Sequence, residues 1–198
     1  MPVKILREVG ITVLIAVAVF AVLRLTVQSY TVVMSSMEPT FLQGDCIMVN
    51  KVTYRSSGPQ RGQVIVFNPP PPNEESRYPF IKRVIGLPGD TVEIRDGKVF
   101  VNGTALDEDE YIKERPDYTM AAIVVPENEY FVLGDNRNNS SDSHVGWTVP
   151  RDNIIGKAWF TYWPPGRLRV AKHYSYPGVP VPEQQEMALT GAFGVQLG

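Results

Sequence analysis

The feature that most constrains this chain is an apolar run near its start. Val9 to Leu23 is fifteen residues without a charge, and Leu25 to Val27 extends the run past Arg24. As a helix, the nineteen residues from Val9 to Val27 rise about 28 Å, close to the ~30 Å hydrocarbon core of a bilayer. A segment this greasy has no place on the surface of a globular domain. Lys4 and Arg7 precede it, so the positive-inside rule puts the N-terminus in the cytoplasm and the rest of the chain outside. Arg24, near the far end, reaches the headgroups by snorkelling. A cleavable signal peptide shares the charged start and apolar middle. The residues after the run, Thr26 to Thr31, are bulky where a cleavage site needs small ones, so an uncleaved anchor over residues 1–28 is the expectation.

Downstream the pattern changes to short β-branched runs bounded by Gly, Pro and Asp. Strands are expected at Cys46–Val49, Val64–Phe67, Ile81–Ile85, Thr91–Ile94, Lys98–Val101, Ala121–Val125, Tyr130–Leu133 and Ile154–Tyr162. Asp96-Gly97 and Asn102-Gly103 suit tight hairpin turns. With 17 prolines and 16 glycines in 198 residues, turns are frequent and long helices are not expected outside the anchor. The four prolines within Asn68–Asn73 read as an exposed loop. The expected fold is mainly β, an antiparallel β-sheet domain over residues 29–175 behind a single transmembrane helix. A flexible tail is expected from Tyr176 to the end, residues 176–198.

Composition narrows the chemistry. The chain carries 19 basic and 21 acidic residues, so no basic excess points to nucleic acid. One cysteine, Cys46, forbids an internal disulfide and a thiolate zinc site, and two histidines, His144 and His173, leave no multi-histidine metal centre. No metal or other cofactor is expected, and hydroxyls, carboxylates, lysines and arginines must do any chemistry.

Three polar segments stand out on this β scaffold. Ser35 to Thr40 lies about ten residues beyond the anchor, where a hydroxyl is either a loop serine or a nucleophile. Lys82 and Arg83 are adjacent inside an apolar strand, so their side chains leave on opposite faces. On pattern alone this reads as an edge strand with a solvated Lys82 and a salt-bridged Arg83. The sharper reading is a lysine in low dielectric, where its pKa falls and it serves as a base. A free lysine is neutral in only about one molecule in 2,500 at pH 7, so burial is what makes it useful. The third segment, Gly134 to His144, is dense in Asp, Asn and Ser: a self-capping turn, or the wall of a site.

Taken together these segments resemble the type I signal peptidases, membrane-bound serine proteases that remove signal peptides. Ser36-Met37-x-Pro39-Thr40 is similar to the family's nucleophile motif, and Gly44-Asp45-x-x-x-Val49-x-Lys51 to its second motif. Lys82-Arg83-x-x-Gly86-x-Pro88-Gly89-Asp90 is similar to the lysine motif, and Gly134-Asp135-Asn136-Arg137-x-x-Ser140-x-Asp142-Ser143 to the last. The resemblance runs from about Tyr30 to Pro164.

It implies Ser36 as nucleophile, Lys82 as general base and Ser140 as the hydroxyl that aims the lysine amine. Arg83 is then structural, paired with Asp135 or Asp142. The substrate would be an exported precursor's signal peptide, lying as an added strand beside Tyr30–Val33 and Phe80–Lys82. Its small side chains would enter shallow pockets near Met37, Phe41, Phe80 and Ile81. The implied partners are signal peptides and the lipid bilayer, with no nucleic acid. The implied place is the cytoplasmic membrane, with the catalytic domain outside.

Three positions depart from the family pattern. Met34 stands where an oxyanion-binding serine is usual, and a thioether cannot donate a hydrogen bond. Strand alternation is expected to point Ser35 away from Met34 and Ser36. His144 replaces a frequent arginine, which weakens pairing with Asp142, and the order Gly146-Trp147 inverts the usual pair. Met34 also motivates a rival reading, a catalytically weak, membrane-tethered peptide-binding relative of the same fold.

Overall fold

A computed structural model describes residues 2–55, 57–71, 76 and 78–180. Helix α1 (Pro2–Thr26) is followed without a break by strand β1 (Val27–Thr31). Its stretch Arg7–Thr26 is long and apolar enough to cross a membrane, and none of it is buried against the protein. The helix stops one residue short of the end expected from the apolar run, because β1 claims Val27 as the partner of Asn50. The Lys51 N–H donates to the Thr26 carbonyl at 2.8 Å, tying the helix end to the first hairpin.

Eleven further strands follow: β2 (Cys46–Asn50), β3 (Val64–Phe67), β4 (Phe80–Gly86), β5 (Thr91–Arg95), β6 (Lys98–Val101), β7 (Thr104–Ala105), β8 (Met120–Val124), β9 (Glu129–Leu133), β10 (Val149–Pro150), β11 (Ile154–Trp163) and β12 (Arg169–Val170). Every strand expected from the sequence is present. The two-residue strands β7, β10 and β12 are too short to leave any periodicity and were not expected.

The strands form two antiparallel sheets. The larger runs β1-β2-β11-β3-β4-β9-β10, with β12 on β11; the smaller runs β7-β6-β5-β8. At the smaller sheet's hairpins Asp96 (φ 51°), Gly97 (φ 68°), Asn102 (φ 51°) and Gly103 (φ 80°) all take left-handed backbone, the geometry a two-residue hairpin turn requires. One apolar cluster, including Ile85, Val92, Ile94, Val101, Phe131 and Leu133, joins the two sheets.

Two expectations fail here. β4 is not an edge strand, since it pairs with β3 on one side and β9 on the other; Lys82 and Arg83 are therefore both buried. Nor does a free tail begin at Tyr176. Its hydroxyl lies 2.6 Å from that of Tyr111, and its ring and Val179 pack on the apolar cluster between the sheets. The Pro180 carbonyl accepts from Asn102 Nδ2 at 3.3 Å. Residues 181–198, the rest of the expected tail, lie outside the described residues. So do Pro72 and Asn73 of the proline loop.

Candidate active site

The register of β4 against its neighbours decides where its two cations go. Lys82 pairs with Ile65 and Arg83 with Val64 and Leu133. Lys82, 4% exposed, reaches one face of the sheet, where its Nζ donates to Ser36 Oγ at 2.6 Å. Burial pulls the Lys82 ammonium down to about 8, against the opposing pull of the Asp142 and Asp135 carboxylates. Neutral amine is then roughly one molecule in ten at pH 7, a few-hundredfold gain over a free lysine.

Arg83 is fully buried on the other side. Its Nε and Nη2 donate to the two oxygens of Asp135 at 2.8 and 2.6 Å, and Nη1 donates to the Gly62 carbonyl at 2.8 Å. Thr40 Oγ1 also donates to Asp135, at 2.5 Å. The ion pair is thus linked to the turn that carries Ser36. Of the two partners proposed for Arg83, Asp135 is the one found. Asp142 instead accepts the Gly134 N–H at 2.8 Å and lies 2.7 Å from His144 Nδ1. With histidine in place of the frequent arginine the pairing with Asp142 is still made, because the imidazole presents a nitrogen to the carboxylate.

Past Thr31 the chain leaves β1 and bends, so the alternation argument does not apply at 34–36. Met34 is 59% exposed and Ser36 is buried, while Ser35 Oγ accepts from Asn139 Nδ2 at 2.9 Å. The Phe41 N–H donates to the Met37 carbonyl at 2.9 Å, a single helical turn. That turn carries Met37 and Phe41 inward, where both are fully buried with Val32, Ile47 and Val49. Neither lines the groove beside Ser36, where pockets near them had been expected.

A groove of about 270 Å³ opens beside the Ser36–Lys82 pair. One wall is residues 29–34, the other residues 78–82, with Ile47 and Val66 between. Phe80 and Ile81 line it.

The last polar segment wraps under this site. The Asn136 N–H donates to the Ser36 carbonyl at 3.0 Å, and its Nδ2 donates to the Ser35 carbonyl at 3.1 Å. Gly134 is pressed so close that a Cβ there would collide with Ser140 Oγ and the Ser36 carbonyl. Arg137, fully buried, donates from Nε to the Gly134 carbonyl at 2.9 Å and makes two bonds, 2.6 and 2.8 Å, to Glu108. Ser140 Oγ is buried without a hydrogen-bond partner, so the expected bond to Lys82 is not made here. Gly146, at φ 103°, ends a short 3-10 turn and lets Trp147 into the core, so the inverted pair is accommodated. Sequence reasoning passed over Thr40, Asn136, Arg137 and Glu108. The first three stood in the quoted motifs; nothing marked Glu108 among its acidic neighbours. Among the described residues no cluster of His, Cys, Asp and Glu is placed to hold a metal.

The chain is 46% identical over 136 residues to a probable signal peptidase I-2 of Synechocystis sp., covering 68% of this chain and 62% of that protein. It therefore spans just under two thirds of that relative. It is 50% identical over 136 residues to a probable signal peptidase I-1 of the same organism, covering 67% and 69% of the two chains. To the signal peptidase I of Leptolyngbya laminosa it is 41% identical over 167 residues, covering 82% and 80%. A family model described as signal peptidase, peptidase S26, matches residues 6–163, from the apolar helix to the end of β11, and the chain belongs to that family.

Proposed function

We propose that this protein is a membrane-anchored serine endopeptidase that cuts signal peptides from exported precursors, with Ser36 as nucleophile and Lys82 as general base. The observation that carries the reading is the 2.6 Å contact between Lys82 Nζ and Ser36 Oγ in a buried site beside an open groove. Once the ammonium has lost its proton, the same contact lets the Ser36 hydroxyl donate to the amine lone pair. Oγ then attacks the scissile carbonyl carbon as its proton passes to Nζ. When the tetrahedral intermediate collapses, the C–N bond breaks and Nζ returns that proton to the leaving amine. Water enters next and attacks the acyl carbon as Nζ takes one of its protons; the bond from that carbon to Oγ then breaks, the product leaves with a new carboxyl group, and Nζ returns the proton to Oγ of Ser36.

The Ser36 N–H is one oxyanion donor. Ser140, a buried and unpartnered hydroxyl packed at Gly134, is the group left to aim the amine. An extended precursor segment lies between residues 30–33 and 80–82 as an added strand, with Phe80 and Ile81 framing pockets for small side chains. Helix Arg7–Thr26 supports the bilayer as partner. Lys4 and Arg7 support a cytoplasmic N-terminus, with the β domain on the extracytoplasmic side of the cytoplasmic membrane. Enzyme and substrate are then confined to one plane, which raises their effective concentration. The domain extends from residue 29 through the packed Tyr176–Pro180 segment. Neither nucleic acid nor a cofactor enters the reaction.

The test is cleavage of one defined precursor in detergent micelles. Wild type should release a single product beginning just after a small residue, and Ser36→Ala should release none. Equal cleavage by Ser36→Ala would overturn the reading.

A further inference from the structure

One residue holds both peptide groups that flank Ser36. The Asn136 Nδ2 donates to the Ser35 carbonyl at 3.1 Å, and the Asn136 N–H donates to the Ser36 carbonyl at 3.0 Å. The Ser35 carbonyl also accepts the Glu38 N–H at 3.1 Å, so both its lone pairs are engaged. At the other end of that same peptide group is the Ser36 N–H, which has no acceptor among the described residues. A peptide group is planar and trans, so holding its carbonyl fixes the direction of its N–H, which points the opposite way. Asn136 is 6% exposed and stands off the groove, whereas Ser36 lines it. The 3-10 turn Arg137–Asn139 starts directly after Asn136, and buried Arg137, bonded to Gly134 and Glu108, pins that turn.

We propose that Asn136 is a positioning residue for the oxyanion: its amide holds the Ser35 carbonyl so that the Ser36 N–H faces the negative oxygen of the tetrahedral intermediate. This rests on the reading of Ser36 as the nucleophile. The amide acts in two ways through one peptide group. It fixes the plane, so the N–H needs no reorientation as charge develops. It also draws electron density towards the carbonyl oxygen, which makes the N–H at the far end a stronger donor. Met34 cannot donate from its thioether, so the site leans the more on this backbone donor. The benefit appears when the scissile carbonyl oxygen becomes an oxyanion, so it belongs to kcat and not to substrate binding.

The test compares wild type with Asn136→Ala, which removes the side-chain donor and keeps the backbone bond to Ser36. On a defined precursor in micelles, kcat should fall about 10–100-fold, less than the ~10²–10³ of losing a donor outright, with KM within about twofold. A second readout is inhibition by a peptide boronic acid, whose boron takes up Ser36 Oγ and places a charged oxygen where the oxyanion forms. The variant should bind the boronate more weakly by the same factor as its loss in kcat, and bind the matching peptide carboxamide as wild type does. The ascending limb of its pH profile should keep its midpoint, because the contact between Lys82 and Ser36 is untouched. Equal losses for boronate and carboxamide, a moved midpoint, or no loss at all would each overturn the proposal. Should Asn136→Ala fail to fold, Asn136→Leu, of similar shape and without a donor, carries the same comparison. A boronate that binds Ser36→Ala as tightly as wild type would instead sink Ser36 as the nucleophile.

Discussion

The two sheets handle charge in opposite ways. In the smaller one the inward side chains Val92, Ile94, Val99 and Val101 are fully buried, and the charges stay outside: Arg95, with its side chain 47% exposed, meets Glu93 at 3.1 Å. In the larger one the central strand β4 takes two cations into the interior, one against Asp135 and one against Ser36. The smaller sheet is held by two hairpins, by β8 pairing on β5 and by apolar contact, none of which needs a charged partner from far along the chain. The larger needs Arg83 to meet a residue 52 positions away and Lys82 one 46 positions away. Buried ion pairs are weak contributors to stability but are punishing when broken. Here Arg83–Asp135–Thr40 fixes three segments around Ser36, and its return is placement.

Breaking the functional pair should have the largest effect. Lys82→Ala and Ser36→Ala should each lower kcat by roughly four to six orders of magnitude, and the double variant by little more. Wild-type activity should rise with pH and level off above about 8, since the protonated amine cannot accept the serine proton. Substantial turnover by Lys82→Ala at neutral pH would sink the assignment. Next comes Arg83→Gln, which leaves Asp135 buried without its guanidinium and should cost about 3–5 kcal/mol in urea unfolding. Arg83→Lys should recover only part, because an ammonium cannot make the two-pronged bond.

A gain is expected at Met34, exposed on the groove lip. Met34→Ser should raise kcat by up to about tenfold, short of the ~10²–10³ attached to one oxyanion donor. KM should barely move, as the new bond strengthens in the transition state. An unchanged kcat, with Ser35→Ala inactive, would make Ser35 the donor. The smallest effect closes the comparison with the two sheets: Arg95→Ala should cost no more than about 1 kcal/mol. A loss equal to that of Arg83→Gln would erase the distinction drawn between them.

Much of this molecule was legible in the chain itself. The apolar helix was written in fifteen uncharged residues, the hairpins in Asp-Gly and Asn-Gly, and the strands in β-branched runs, because all three depend on near neighbours. Ser36, Lys82 and the polar run were legible as motifs. Whether Lys82 was solvated or buried was not, since a strand's own residues do not say how many neighbours it has; pairing with both β3 and β9 decided it. The same holds for Met37 and Phe41, which one helical turn sent into the core. It holds for Glu108, meaningless until Arg137 arrived opposite it. Sequence set the local conformations and the inventory of reactive groups. Tertiary structure alone decided which charges lost water and which partner each met, because desolvation and pairing are properties of segments brought together from afar.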